Sequence, residues 1–164
     1  MLALMLGRDY DTQTCSVASA LEVVGERWTL LIVRNVSLGM HRFEELQEQL
    51  GIARNVLASR LESLVANEIL ERRPYGERPV RYGYWLTEKG RDLWPVLVEL
   101  LQWGDKHTPT PSGPPVVIRH AGCGGTLGPH RACTRCGALL EREDVRAEPG
   151  PGATPRSPLS ALAG

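Results

Sequence analysis

The chain has 164 residues, 42% of them hydrophobic, and 19 lysines and arginines balance 19 aspartates and glutamates. Domains commonly run to ~100–150 residues, so one domain with an appendage is expected. Zero formal charge excludes a protein held to nucleic acid by bulk charge, leaving that role to a local basic patch. The opening MLALMLGRDYD is too short for a signal peptide and lacks its basic start. No apolar run approaches the ~20 residues needed to cross a bilayer, so a cytoplasmic protein is expected, with no membrane partner. In a reducing compartment the four cysteines, Cys15 alone and Cys123, Cys133 and Cys136 together, read as thiol chemistry and metal ligation rather than disulfides.

Residues 1–14 form an N-terminal arm. From Cys15, apolar residues return at helical spacing through Val17, Leu21, Val24, Trp28, Leu31 and Ile32. Gly25 marks a break between two helices, and the second, Glu26 to Leu38, is dense enough in aliphatics to be central and buried. Gly39 stops it. A short helix, Arg42 to Leu50, carries Phe43, Leu46 and Leu50 on one side, and Gly51 and Ile52 make a turn. The next helix, Ala53 to Asn67, places Leu57, Leu61, Leu64 and Val65 on one face and Asn55, Val56, Ser59 and Ser63 on the other. A small, polar outward face of that kind fits a major groove ~12 Å wide, its N-terminal residues toward the base edges.

Ile69 to Arg73 and Val80 to Leu86 have strand character, joined by Pro74-Tyr75-Gly76-Glu77-Arg78-Pro79. This hairpin is the wing of a winged helix-turn-helix. Between Arg72 and Arg81 it holds four arginines against one glutamate, which is the local basic patch. Arg72, Arg73, Arg78 and Arg81 are expected to reach phosphates or a minor groove, although charge that blunts a hairpin's own edges is the blander reading. Arg54 is expected to reach a base or the backbone. Arg60, at the flank of the outward face, either binds phosphate, which is preferred, or pairs with Glu62 or another acid.

Thr87 suits the N-cap of a helix from Glu88 to Gly104. Its Leu93, Trp94, Leu97, Val98, Leu100, Leu101 and Trp103 exceed what one core face uses, and the surplus suggests a subunit contact. After the domain spanning 15–107, residues 108–115 form a proline-rich linker with no core to join. Residues 116–146 form a compact second unit, and 147–164, rich in Pro, Gly, Ser and Ala, are expected to be disordered.

The second unit contains His120-x2-Cys123-Gly and Cys133-x2-Cys136-Gly. Each half makes a tight knuckle in which two ligands converge, and two knuckles close a tetrahedral Cys3His site whose usual occupant is structural zinc. His130 is a competing fourth ligand, disfavoured by spacing. A unit this small has little core, so its fold should depend on the metal. Cys15 is read either as a small buried residue at a helix start or as a candidate redox sensor, since a helix N-terminus lowers a thiol pKa.

Residues from about Cys15 to Gly104 resemble the HxlR-type winged-helix regulators, relatives of the MarR group. The motifs that carry it are an early cysteine followed by ALEVVGERWTLLIVRN, then RFEELQEQLGIARNVLASRLESL, then LERRPYGERPVRYGYWLTEKGRDL. The resemblance implies a fold that is mainly α with a small β-hairpin. It further implies a homodimer on double-stranded operator DNA, terminal helices (the N-terminal helix and helix 88–104) at the subunit interface, and no enzyme activity. It also implies thiol sensing at Cys15, and a similar tail in some relatives supports a zinc ribbon here. The chain departs from the family at Ser16, where proline usually follows the cysteine, and at Ala53, where serine often opens the recognition helix. The function expected is sequence-specific regulation of transcription, as a repressor, responsive to a thiol reagent or a ligand. Two alternatives differ in class: a winged-helix and zinc-ribbon module that binds other proteins in a transcription assembly, and a redox switch that releases zinc. No Ser-His-Asp grouping, phosphate loop or paired-carboxylate cleft supports an enzyme.

Overall fold

A computed structural model describes residue 10 and residues 14–76 and 79–159. The wing residue Arg78 and most of the N-terminal arm lie outside the described residues. The chain is mainly α, with two small antiparallel hairpins.

Helix α1 (Ser16–Val24) ends where the Gly25 amide donates to the Leu21 carbonyl at 2.7 Å. The following helix is expected from Glu26, yet α2 spans Thr29–Ser37, because Trp28 adopts left-handed backbone (φ 82°). That conformation turns the chain sharply and packs the half-buried indole against the core. A non-glycine residue there costs on the order of 1–3 kcal/mol, which the surrounding packing offsets. Ile32 and Val33 are fully buried, and α2 is the central helix around which the others pack.

Helix α3 (Phe43–Leu50) starts without a hydroxyl cap. The Glu45 carboxylate accepts from the Arg42 amide at 3.0 Å and the His41 amide at 3.2 Å, satisfying donors that a helix start leaves free. Gly51 closes the helix, and buried Ile52 seals the turn to α4 (Arg54–Ala66). Leu57, Leu61 and Leu64 bury one stripe of α4 in the same core as Ile32 and Leu46. β1 (Leu70–Tyr75) pairs with β2 (Arg81–Leu86), with Leu70 opposite Leu86 and Arg73 opposite Gly83. The wing is fastened to the α2–α3 connection through His41: its carbonyl accepts from the Tyr84 amide, its ring Nδ1 bonds the Tyr84 carbonyl at 2.8 Å, and its ring stacks on Trp85.

Thr87 caps the next helix as expected, accepting from the Gly90 amide at 3.0 Å. The single helix expected over 88–104 is instead two, α5 (Glu88–Arg91) and α6 (Trp94–His107). Pro95 is the cause: it lacks an N–H for the Arg91 carbonyl and is tolerated only in a first turn, so the helix restarts around it.

The C-terminal unit pairs β3 (Val116–His120) with β4 (Val145–Pro149), His120 opposite Val145. The expectation of disorder from Ala147 is overturned over the described part. Ala147–Pro149 complete β4, Gly150 donates to the Pro115 carbonyl, and Ser157 and Leu159 are buried. Gln49 of α3 donates to the carbonyls of Arg156 and Ser157, each at 3.1 Å. The linker is tied down too, since the Gly152 amide bonds the Pro114 carbonyl. Composition signals the lack of a hydrophobic pattern here, whereas order comes from backbone hydrogen bonds, which composition does not register.

Part of the surplus apolar surface of α6 serves this unit rather than a second subunit. Trp94 and Val98 pack with Cys133, Leu140 and Val145, and Gln102 donates to the Gly128 carbonyl at 2.7 Å. Val96, Leu100 and Trp103 remain exposed on α6, as do Val17 and Leu21 on α1.

Candidate nucleic-acid interface and metal centre

The stripe that buries Leu57, Leu61 and Leu64 turns Arg54, Asn55 and Ser59 outward, with Val56 half-buried between. Ala53 caps α4 with extended backbone but no side-chain acceptor, so the amides of its first turn are open to an anion. Arg54 lies over the Phe43 ring of α3 at 4.7 Å, a contact that holds the guanidinium at the mouth of the helix-turn-helix. Arg60 is placed differently from expectation. It pairs with Glu26, an acid distant in the chain, at 3.4 Å, and its side chain is three-quarters buried.

Strand register separates the wing arginines. Arg72 shares a face with Tyr82 and Tyr84 and lies over the Tyr82 ring at 4.7 Å. Arg73 points to the opposite face, pairs with Glu71 and stacks on Trp85 at 5.7 Å. Arg81, exposed opposite Tyr75, sits where the strands leave for the loop. Tyr75, Tyr82 and Trp85, which set these directions, were passed over in the sequence although they interleave with the arginines. Arg42, also unremarked, covers the Tyr75 ring at 5.1 Å.

In the C-terminal unit the ligand atoms of His120, Cys123, Cys133 and Cys136 all lie within 4.8 Å of one another. His120 Nδ1 is 3.3 Å from Cys123 Sγ and 3.4 Å from Cys136 Sγ, and the Cys123 and Cys133 sulfurs are 3.4 Å apart. Zinc bonds of about 2.3 Å to sulfur and about 2.0–2.1 Å to nitrogen put tetrahedral ligands about 3.5–3.8 Å apart, so the donor set fits a four-coordinate ion. His130 stands outside the cluster, exposed on a short 3-10 turn. Gly124 and Gly137, each following the second ligand of its knuckle, have φ of 74° and 73°, a conformation that swings the chain back around sulfur and that glycine alone adopts freely. Backbone amides of Cys136 and Arg135 directed at Cys133 Sγ pull that thiol down to about 6. Gly125 N–H lowers Cys123, but burial and the sulfurs of Cys133 and Cys136 outweigh it and raise that thiol.

Cys15 is exposed rather than packed, and amides of Ala18 and Val17 at the start of α1 lower its pKa.

Residues 23–112 match the model of the HxlR-like helix-turn-helix family. The chain belongs to the HxlR-like helix-turn-helix family. Among HxlR-like relatives, an uncharacterised HTH-type transcriptional regulator of Mycobacterium bovis is 50% identical over 137 residues, 84% of this chain and 87% of its own length. That match is longer than residues 1–115 can supply, so it runs into the C-terminal unit. The HTH-type transcriptional regulator YodB of Bacillus subtilis is 39% identical over 58% of this chain and 87% of its own. Among solved structures, PA1607, a candidate transcription factor, superposes with a TM-score of 0.67 at 35% identity, covering 84% of this chain and 96% of that one.

Proposed function

We propose that this HxlR-like protein is a transcriptional regulator that reads double-stranded operator DNA as a homodimer in the cytoplasm, acting as a repressor. The observation that carries the reading is the division of α4: three leucines anchor it while Arg54, Asn55, Val56 and Ser59 face outward beside the wing. In this arrangement α4 enters the major groove and phosphate meets its uncapped start. Arg72 and Arg81 supply backbone contacts, assisted by Arg78 in the loop, whereas Arg73 and Arg60 serve chiefly to hold the hairpin and α4 in place. Exposed Val17 and Leu21 of α1 with Val96, Leu100 and Trp103 of α6 supply the dimer surface. His120, Cys123, Cys133 and Cys136 would hold structural zinc, which supplies cross-linking of the two knuckles and no catalysis.

Sensing at Cys15 is supported by its exposure and lowered pKa, and by similarity to a solved structure described as the redox regulator HypR, 32% identical over 57% of this chain. Selection of bound sequences from a random DNA pool tests the main reading. A palindrome with half-sites about one helical turn apart is expected. On that site Asn55→Ala should relax base preference, while Arg72→Ala should weaken all sequences alike and make the salt dependence shallower by about one unit. Enrichment of no sequence, or variants that bind as the parent does, would sink it.

A further inference from the structure

A cavity of about 440 Å³ opens between α2, α6 and the C-terminal hairpin. Its size falls in the range of about 300–1,000 Å³ typical of small-molecule sites. The floor is apolar, formed by Trp94, Leu97, Leu101, Ile118 and Val145. Arg34 and Arg142 line it, and neither is among the ion pairs of the described residues. Arg34 spends its Nε–H on the neighbouring Asn35 side chain at 2.9 Å, a neutral acceptor. Arg142 donates to the Ser37 carbonyl at 2.6 Å, and the Ser37 hydroxyl donates to the Arg34 carbonyl at 2.7 Å, so both arginines are fixed to one turn of α2. Burial lowers the Arg34 pKa, and the same desolvation raises that of Asp105, the acid on the cavity wall. Half-buried cations without an acidic partner are unfavourable, and the usual remedy is a counter-ion.

We propose that this cavity is a binding site for a small carboxylic acid with an apolar body, the carboxylate held by Arg34 and Arg142 and the body against Trp94, Leu97 and Leu101. The charge of the two arginines selects an anion, the planar fork of each suits a carboxylate, and the floor selects a hydrocarbon or aromatic frame. Because the hairpin supplies one wall and α2 and α6 the others, such a ligand would link the C-terminal unit to α6, whose Leu100 both lines the cavity and belongs to the dimer surface proposed above. The inference does not depend on DNA binding, which its test leaves out.

The test is calorimetric titration of the full-length, metal-loaded protein with naphthoate and with naphthyl methanol, which has the same ring system without the charge. Naphthoate should bind at least about tenfold more tightly than the alcohol, as expected when a charge-assisted pair replaces a neutral contact. Arg34→Met should abolish the preference and Arg34→Lys should keep most of it. Should Arg34→Met not fold, Arg142→Met serves in its place, and Leu101→Trp, which fills the cavity, should block both probes. Absence of naphthoate binding, equal affinity for the two probes, or a preference that survives Arg34→Met or is untouched by Leu101→Trp would each overturn the proposal. A dimer partner seated on the cavity would appear as the first of these.

Discussion

The winged half and the C-terminal unit bury their residues by different means. In the winged half, Ile32, Val33, Leu46, Leu57, Leu61, Leu64 and Leu70 form one continuous core with almost no exposed surface. In the C-terminal unit the buried cluster is Cys133, Leu140 and Val145, completed by Trp94 and Val98 of α6. One region is therefore assembled by removing aliphatic surface from water, at roughly 25 cal/mol per Å². The other has too few aliphatics for that and relies on a ligand cluster, two glycine-turned knuckles and docking onto a helix it does not own. Cys133 takes part in both devices, as a ligand atom and as a core residue.

Metal removal tests the contrast most severely. Structural zinc contributes about 10–16 kcal/mol in isolated zinc-finger peptides, far beyond what three small buried residues offer. A chelator, or Cys133→Ala, should abolish hydrogen-exchange protection across β3 and β4 while amides of α2 and α4 stay protected. Protection of β3 and β4 that survives complete removal of metal would mean that docking on α6 alone holds the unit, and the two regions would no longer differ in kind.

The converse experiment acts on the other core. Leu61 is fully buried, so Leu61→Ala should cost about 2–5 kcal/mol, read from chemical denaturation. The zinc proposed at His120, Cys123, Cys133 and Cys136 should be retained, because none of these four side chains belongs to this core. A loss of metal in Leu61→Ala would show that the regions fold as one unit.

The same contrast explains how far the sequence could be read. Leu57, Leu61 and Leu64 recur at helical spacing, Thr87 stands where a cap is needed, and the paired knuckles announce their ligands by spacing alone. All are local signals. What escaped notice depends on partners distant in the chain or on register. Arg60 finds Glu26, and Gln49 reaches Arg156 and Ser157. Arg72 and Arg73 diverge because adjacent residues of a strand face opposite ways, which a count of wing arginines does not register. The apolar residues of α6 exceed one core face, and the second partner for part of them lies within the same chain. Pro95 and the aromatic residues of the wing are local signals too.

Two thiols, one in each region, give the finest test. Cys15 and Cys133 both have lowered pKa values through backbone amides, but Cys15 is exposed at a helix start whereas Cys133 is 3% exposed among three other ligands. In metal-loaded protein, iodoacetamide should therefore alkylate Cys15 first, with a rate that rises with pH to a midpoint below the ordinary thiol value of 9.0. The sign follows from linkage. A thiol whose folded pKa is depressed contributes stability above its unfolded pKa and loses it as pH falls through the folded one, so acidification should both quench the reaction and remove any contribution of the thiolate to α1. After chelation Cys133 should join the reaction, because the unit that buries its sulfur then unfolds. If Cys133 reacts as readily with metal bound, or if Cys15 titrates at or above the ordinary value, then the amides at the start of α1 do not set its reactivity and its role as a sensor loses its chemical basis.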